Sequence, residues 1–147
     1  MTFKGIDNQT VELKIVNYEF SNNKNGDCYD NNWLNVFIKV DSKVGKWQTI
    51  DPSLLTGEVM ELITWFSYLS ENREYTLMEF IEPNLSFELV SKYDSEIKRI
   101  RIYFNLESRP QSATDDRKYF VDCEWNKNDL KQIVVDLNKE MEKYQER

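Results

Sequence analysis

The fold is decided by residues 50–87, which read IDPSLLTGEVMELITWFSYLSENREYTLMEFIEPNLSF. In its first half, apolar residues recur at three- and four-residue spacing, the pattern of a helix with one buried face. These residues are Val59, Leu62, Ile63, Phe66 and Leu69. The pattern predicts a mostly enclosed helix from near Gly57 to near Ser70. Thr56 is the expected N-cap, because its hydroxyl can accept a hydrogen bond from a free amide of the first turn.

Two strands follow this helix. Residues 77–82 and 85–89 both show the period-two alternation of a β-strand. Pro83 disfavours helical backbone at Glu82, and Asn84 tolerates turn geometry, so these three residues predict a tight connection between the strands.

Further strands lie on both sides of this stretch. Alternating apolar residues predict strands over residues 11–20, 33–40, 46–50, 100–105 and 119–125. A final helix, capped by Asn126 or Asn128, is predicted from a second apolar stripe. The stripe consists of Leu130, Ile133, Val134, Leu137, Met141 and Tyr144.

The predicted order of elements is β-β-β-α-β-β-β-β-α. Short connections favour antiparallel pairing, so we expect an α+β fold, a curved sheet of about seven strands with two helices packed on it. A chain of 147 residues is the size of one domain, and we expect residues 1–147 to form a single core.

The composition narrows the classes of function. The net charge of −7 disfavours binding to nucleic acid or to an anionic membrane, both of which require basic surfaces, but it suits a basic protein partner. No apolar run approaches the roughly 20 residues of a membrane span, and the N-terminus has no secretory h-region. We therefore expect a cytoplasmic protein.

Catalytic and cofactor motifs are lacking in the sequence. The chain has no histidine and no glycine-rich phosphate-binding loop, which excludes histidine-based catalysis and the common nucleotide sites. A two-carboxylate glycosidase needs no histidine and stays open as an alternative. The strand carboxylates available for it are Glu79, Glu82, Glu88, Asp122 and Glu124. Carboxylates this abundant form pairs by chance, so we expect no enzymatic activity and no cofactor.

Two long polar segments carry exposed carboxylates. Asp27 and Asp30 lie in the first, residues 21–32, which lacks the ordered acidic spacing of a calcium-binding EF-hand. A metal ion at these two residues is an open alternative. Cys28 lies in the same loop and Cys123 in a predicted strand, and without a CxxC pair we expect both thiols to be reduced.

Several stretches resemble the WapI-type immunity proteins, which bacteria pair with cell-wall-associated polymorphic toxins. The matching pieces are Trp33-Leu34-Asn35-Val36, Gly45-Lys46-Trp47, Pro52-Ser53-Leu54-Leu55-Thr56, Glu61-Leu62-Ile63-Thr64-Trp65-Phe66 and Phe80-Ile81-Glu82-Pro83-Asn84-Leu85-Ser86-Phe87. The resemblance implies a cytosolic inhibitor that binds a toxin domain, often a nuclease, and blocks it stoichiometrically. Gly57 departs from the larger residue expected at the helix start.

For such a partner, the carboxylates expected to make contact are Asp27 and Asp30 in the first loop and Asp115 and Asp116 in the second loop, residues 107–117. The alternative function is a binding or oligomerisation module, in which aromatic residues on the second face of the sheet hold a small apolar ligand or a second copy of the chain. Its residues are Trp33, Phe37, Tyr103 and Phe120.

Overall fold

The computed structural model describes residues 1–20 and 30–147, and those ranges contain eight strands and two helices. The N-terminal sheet consists of β1 (Thr2–Lys4), β2 (Thr10–Tyr18), β3 (Trp33–Ser42) and β4 (Gly45–Leu55). The C-terminal sheet consists of β5 (Leu77–Glu79), β6 (Leu85–Leu89), β7 (Lys98–Phe104) and β8 (Tyr119–Trp125). Helix α1 (Thr56–Ser70) lies between the two sheets in the chain, and α2 (Lys127–Met141) follows β8. Both sheets are antiparallel, with spatial order β1-β2-β3-β4 and β5-β6-β7-β8.

The α+β class, the antiparallel pairing and the two helices are confirmed. The strands differ from the expectation in number and grouping, since eight strands form two sheets where about seven were expected in one. Strand β1 was missed because it has three residues and a single buried apolar side chain, Phe3, which is too short a run for alternation to show. The two-sheet division was missed because alternation indicates which face of a strand is buried but not which strand it pairs with.

Both sheets and both helices contribute to one hydrophobic core. Phe66 of α1 is fully buried, and its ring lies 6.1 Å from that of Phe3, 5.8 Å from that of Phe87 and 5.9 Å from that of Trp125. Phe3 belongs to the N-terminal sheet, whereas Phe87 and Trp125 belong to the C-terminal sheet. Helix α1 therefore joins the two sheets through its aromatic side chains, and the predicted enclosure of its apolar face is confirmed.

The start of α1 differs by one residue from the prediction. The helix begins at Thr56, and the cap position is Leu55, the last residue of β4. Thr56 does not cap the helix, because its hydroxyl donates to Asn32 Oδ1 at 3.2 Å. Glu58 caps it instead, since its Oε2 accepts from the Leu55 amide at 2.8 Å. Strand pairing continues to Leu55, and the helix begins at the next residue. Leu55 is therefore the last extended residue and occupies the cap position that the sequence assigned to Thr56.

Helix α2 begins as predicted. Asn126 is the N-cap, with its Oδ1 accepting from the amides of Asn128 and Asp129 at 2.8 and 3.1 Å, while Asp129 Oδ2 accepts from the Asn126 amide. This reciprocal pair is a capping box. The Tyr144 hydroxyl donates to the carbonyl of Val16 at 2.9 Å and so attaches the end of the chain to β2. Within the described ranges, neither helix has the length and hydropathy that crossing a membrane requires.

The four aromatic residues expected to share a second sheet face do not do so. Trp33 and Phe37 lie on β3 in the N-terminal sheet, whereas Tyr103 and Phe120 lie on β7 and β8 in the C-terminal sheet. The Arg101 guanidinium covers Phe120 at 3.9 Å from the ring centroid. The single aromatic face was wrong because the strands that carry these residues belong to different sheets.

Candidate partner-binding surface

Asn84 brings together three segments that are far apart in sequence. Its side chain is buried, and Nδ2 donates to Asp51 Oδ2 at 2.7 Å and to Ser53 Oγ at 3.3 Å. Its backbone carbonyl accepts from the amide of Asn105 at 2.8 Å and from the hydroxyl of Ser108. The end of β4, the loop before β6 and the turn after β7 therefore meet at one residue.

The buried carboxylate of Glu58 also fixes the loop before β6. Glu58 is 7% exposed, and its Oε1 accepts from the Ile81 amide at 2.6 Å while Oε2 accepts from Leu55. Charge-assisted hydrogen bonds of this kind are stronger than those between neutral groups. Glu58 therefore ties the start of α1 to residues 80–83 and holds Ile81 in a defined position.

The turn Leu106–Ser108 has an unusual backbone. Leu106 has a φ of +44°, a left-handed conformation that costs a residue with a Cβ roughly 1–2 kcal/mol. The hydrogen bonds that hold the turn include Ser108 N to Asn105 O at 3.0 Å, Arg109 N to Leu106 O at 3.2 Å, and Trp47 Nε1 to Ser108 O at 2.8 Å. The Leu106 side chain remains 55% exposed.

Each of the three segments presents an apolar residue followed by an acidic one. The apolar residues Ile50, Ile81 and Leu106 are 61%, 63% and 55% exposed, respectively. The six residues, which we call the acidic-apolar surface, are Ile50, Asp51, Ile81, Glu82, Leu106 and Glu107. Ile50, Asp51, Leu106 and Glu107 line an open groove of about 530 Å³ together with Arg109. Exposed apolar contacts beside carboxylates are suited to binding another protein.

Negative charge accumulates at this surface. Partial burial raises the pKa of Asp51 above its ordinary value of 3.8; the hydrogen bond from Asn84 acts against that rise, and repulsion from Glu107, Glu82 and Glu19 adds to it. Within residues 1–20 and 30–147, none of these four carboxylates lies within 4 Å of a cationic group. The repulsion is therefore not relieved by a local ion pair.

Two of the carboxylates predicted from the sequence to bind a partner, Asp30 and Asp116, lie outside this groove. Asp27 lies outside the described residues, and Asp30 is exposed in the turn Asp30–Asn32 before β3. Asp116 is exposed in the loop between the turn Leu106–Ser108 and β8. The structure brings neither Asp30 nor Asp116 into the groove.

Asp115 is already engaged within its own loop. Its Oδ2 accepts from Arg117 Nε at 2.5 Å, and its backbone carbonyl accepts from Arg109 at 2.7 Å. Slight desolvation acts to raise the pKa of Asp115, but the hydrogen bonds and positive charge of Arg117 outweigh it and lower the pKa. Because Arg109 also lines the groove, Asp115 borders the acidic-apolar surface without adding an unpaired charge to it.

Two of the reactive side chains considered from the sequence, Asp122 and Cys123, are ion-paired and buried, respectively. Arg101 binds Asp122 with two hydrogen bonds of 2.7 and 3.0 Å, which neutralises that carboxylate. Burial, together with repulsion from Asp122, raises the pKa of the Cys123 thiol to about 12. A thiol that stays protonated at neutral pH is a poor nucleophile and a poor metal ligand. In the part of the chain that the structure describes, no three Asp, Glu or Cys side chains converge into a metal-binding group.

The acidic-apolar surface was not identified from the sequence. Its apolar members lie in strand-like or turn segments where apolar residues predict burial, and its three pairs are separated by 29 and 23 residues of chain. The one available signal was the recurrence of an apolar residue followed by an acidic one, which also occurs at Ile6-Asp7 and Val11-Glu12 and so is weak.

Comparison with known proteins supports the resemblance noted in the sequence. No curated protein matches the chain. The model of the immunity protein WapI-like family matches residues 2–145, nearly the whole chain, and confirms that resemblance. The match, which includes both sheets and both helices, shows that the chain belongs to the immunity protein WapI-like family.

Proposed function

We propose that this protein protects a bacterial cell from a basic, nuclease-type toxin domain by binding it stoichiometrically in the cytosol and covering its surface. The observation that carries the proposal is the family match over residues 2–145, since immunity proteins bind a cognate toxin. Inhibition by coverage requires affinity and shape complementarity but no catalytic group.

The charge of the chain supports a basic partner. A nuclease must attract phosphate groups, so its active site is basic, and a protein of net charge −7 offers the complementary field. Such complementarity raises association rates by roughly 10–10³ at low ionic strength. Fast association suits an inhibitor that must capture a toxin before the toxin reaches its substrate.

The loop carboxylates predicted from the sequence remain part of this proposal. We expect the pairs Asp27 with Asp30 and Asp115 with Asp116 to contribute to the field that steers the toxin. Replacing the contributing pair by Asn should slow association and reduce its dependence on salt. Stopped-flow measurement at several ionic strengths tests both pairs, and unchanged rates for both would remove these residues from the interface.

The protective role is tested in cells. The candidate partner is the toxin domain encoded beside this gene, expressed from an inducible promoter with and without the protein. The proposal predicts that growth stops in cells with the toxin domain alone and continues when this protein is co-expressed. Growth arrest in both cultures, with the protein present as folded material, would reject the proposed function for that pair.

One observation favours a second candidate, a hydrolase that uses two carboxylates. Asp51 has a raised pKa and shares a groove with Glu107, as an acid catalyst acting on a glycosidic bond would. This candidate predicts release of reducing sugar from a polysaccharide by the purified protein and loss of that release in Asp51→Asn. The absence of any release would leave binding as the function.

A further inference from the structure

We propose that the acidic-apolar surface is the docking site for a basic protein surface, in which Lys and Arg side chains surround an apolar contact. This inference rests on the proposed function and deepens it, because it assigns the toxin-binding site to residues other than the four loop carboxylates predicted from the sequence. The partner is a folded protein, since the surface combines exposed apolar side chains with carboxylates.

The carboxylates of this surface are close enough for Glu107 and Glu82 to repel Asp51, and in the described ranges they are not among the acidic groups that have a cationic partner. Elsewhere, Asp7 pairs with Lys43 at 2.5 Å, Asp41 with Lys46 at 2.6 Å and Asp122 with Arg101 at 2.7 Å. In the described ranges, Asp51, Glu82 and Glu107 have no such pair. Among the described residues that line the groove, the cation is Arg109, which donates to the Asp115 carbonyl and lies 5.5 Å from the Tyr119 ring centroid. Cations from a partner would supply the missing complement.

The apolar side chains supply affinity, which charge alone does not provide. Ile50, Ile81 and Leu106 are each more than half exposed, and each lies next to one of the unpaired carboxylates in the chain. Protein interfaces commonly have an apolar centre and a polar rim, in which the centre provides affinity and the charges provide orientation and rate.

The surface is also held rigid before any partner arrives. Asn84 bonds to Asp51 and to the turn that carries Leu106, and Glu58 bonds to the amide of Ile81. The Trp47 indole donates to the same turn, and its ring packs against Phe104 at 5.5 Å. Rigid presentation lowers the entropic cost of binding. The network therefore serves the exposed residues as well as the fold.

Two surface variants test the assignment against one control, with the purified toxin domain as the probe. Glu82→Gln/Glu107→Gln removes two charges from the surface. Leu106→Asn removes the apolar contact, and Asn tolerates the left-handed backbone, so the turn is kept. The control, Glu74→Gln/Glu96→Gln, removes two exposed charges at the opposite end of the C-terminal sheet. Thermal unfolding confirms that each variant is folded.

We expect the charge variant to associate about tenfold more slowly at low ionic strength and to lose part of its salt dependence. Leu106→Asn should raise Kd about tenfold or more, mainly through faster dissociation. The control should match the wild type. If wild-type protein binds but both surface variants bind as the control does, the docking site is wrong while the proposed function stands. If wild-type protein does not bind, both are overturned.

Discussion

Asp51 shows how one residue links the stability of the free protein to its interaction surface. Its carboxylate is partly buried, accepts from a buried amide and lies in the field of Glu107, Glu82 and Glu19. An uncompensated negative cluster costs stability in the isolated protein. Natural proteins retain such costs where function needs them. The cluster is therefore consistent with a role in binding that the fold alone does not require.

The raised pKa of Asp51 sets the sign of a pH effect. Between the ordinary value of 3.8 and the higher folded pKa, the folded state holds this proton more firmly than the unfolded state does. The contribution of Asp51 to the free energy of unfolding therefore decreases as pH rises through this window. Above the folded pKa, the ionised carboxylate destabilises the folded state by the full amount.

We predict that Asp51→Asn unfolds at a higher temperature than the wild type at pH 7, because Asn keeps an acceptor for Asn84 Nδ2 but carries no charge. The difference in Tm between the two proteins should shrink as pH falls towards about 3.8. Calorimetry from pH 3.5 to pH 7 checks this. A variant less stable than the wild type at pH 7 would show that the charge is not the source of a penalty.

At the scale of elements, α1 determines how the two halves of the chain meet. Its aromatic residues contact both sheets, and its first turn holds the loop before β6 through Glu58. The helix therefore positions the surface as well as the core.

Glu58→Ala is predicted to lower the free energy of unfolding by about 3 kcal/mol, since two amide donors lose a charged acceptor. Urea unfolding measures the change. The matched control, Glu61→Ala on the exposed side of α1, should change stability by less than about 0.5 kcal/mol. Equal effects of the two substitutions would mean that Glu58 does not join α1 to residue 81.

The helices were predictable because their signals are local. The apolar stripe of α1 and the Asn126 cap of α2 are both visible within about 15 residues, and the structure has both. Strand β1 was not predictable, because Phe3 packs against Phe66 and Trp125, which are distant in sequence.

The acidic-apolar surface was harder to predict than the helices, because its residues are brought together by contacts between distant parts of the chain. Asp51 and Glu107 come together through contacts that are distant in sequence, because Asn84 bonds to both segments and the Trp47 indole donates to Ser108. Nothing local to Ile50 or Leu106 distinguishes an exposed apolar residue from a buried one. The sequence directed attention to Asp115 instead, and the structure shows that its charge is balanced by Arg117.

At the scale of the whole molecule, the account combines an acidic chain, family membership and one rigid surface. In the proposed function, seven net negative charges favour capture of a basic toxin from a distance, and the acidic-apolar surface is the proposed place of specific contact. Each inhibitor molecule stays occupied by one toxin molecule, and neither step involves turnover. Neutralisation should therefore follow the amounts of the two proteins and not the time of incubation.

The most direct measurement is a titration of the purified toxin domain with this protein, following residual toxin activity at concentrations well above Kd. The account predicts that activity falls linearly and reaches its minimum at one equivalent, with the same end point after short and long incubation. Complete inactivation at a small fraction of one equivalent, or an end point that moves with time, would show turnover and contradict inhibition by coverage.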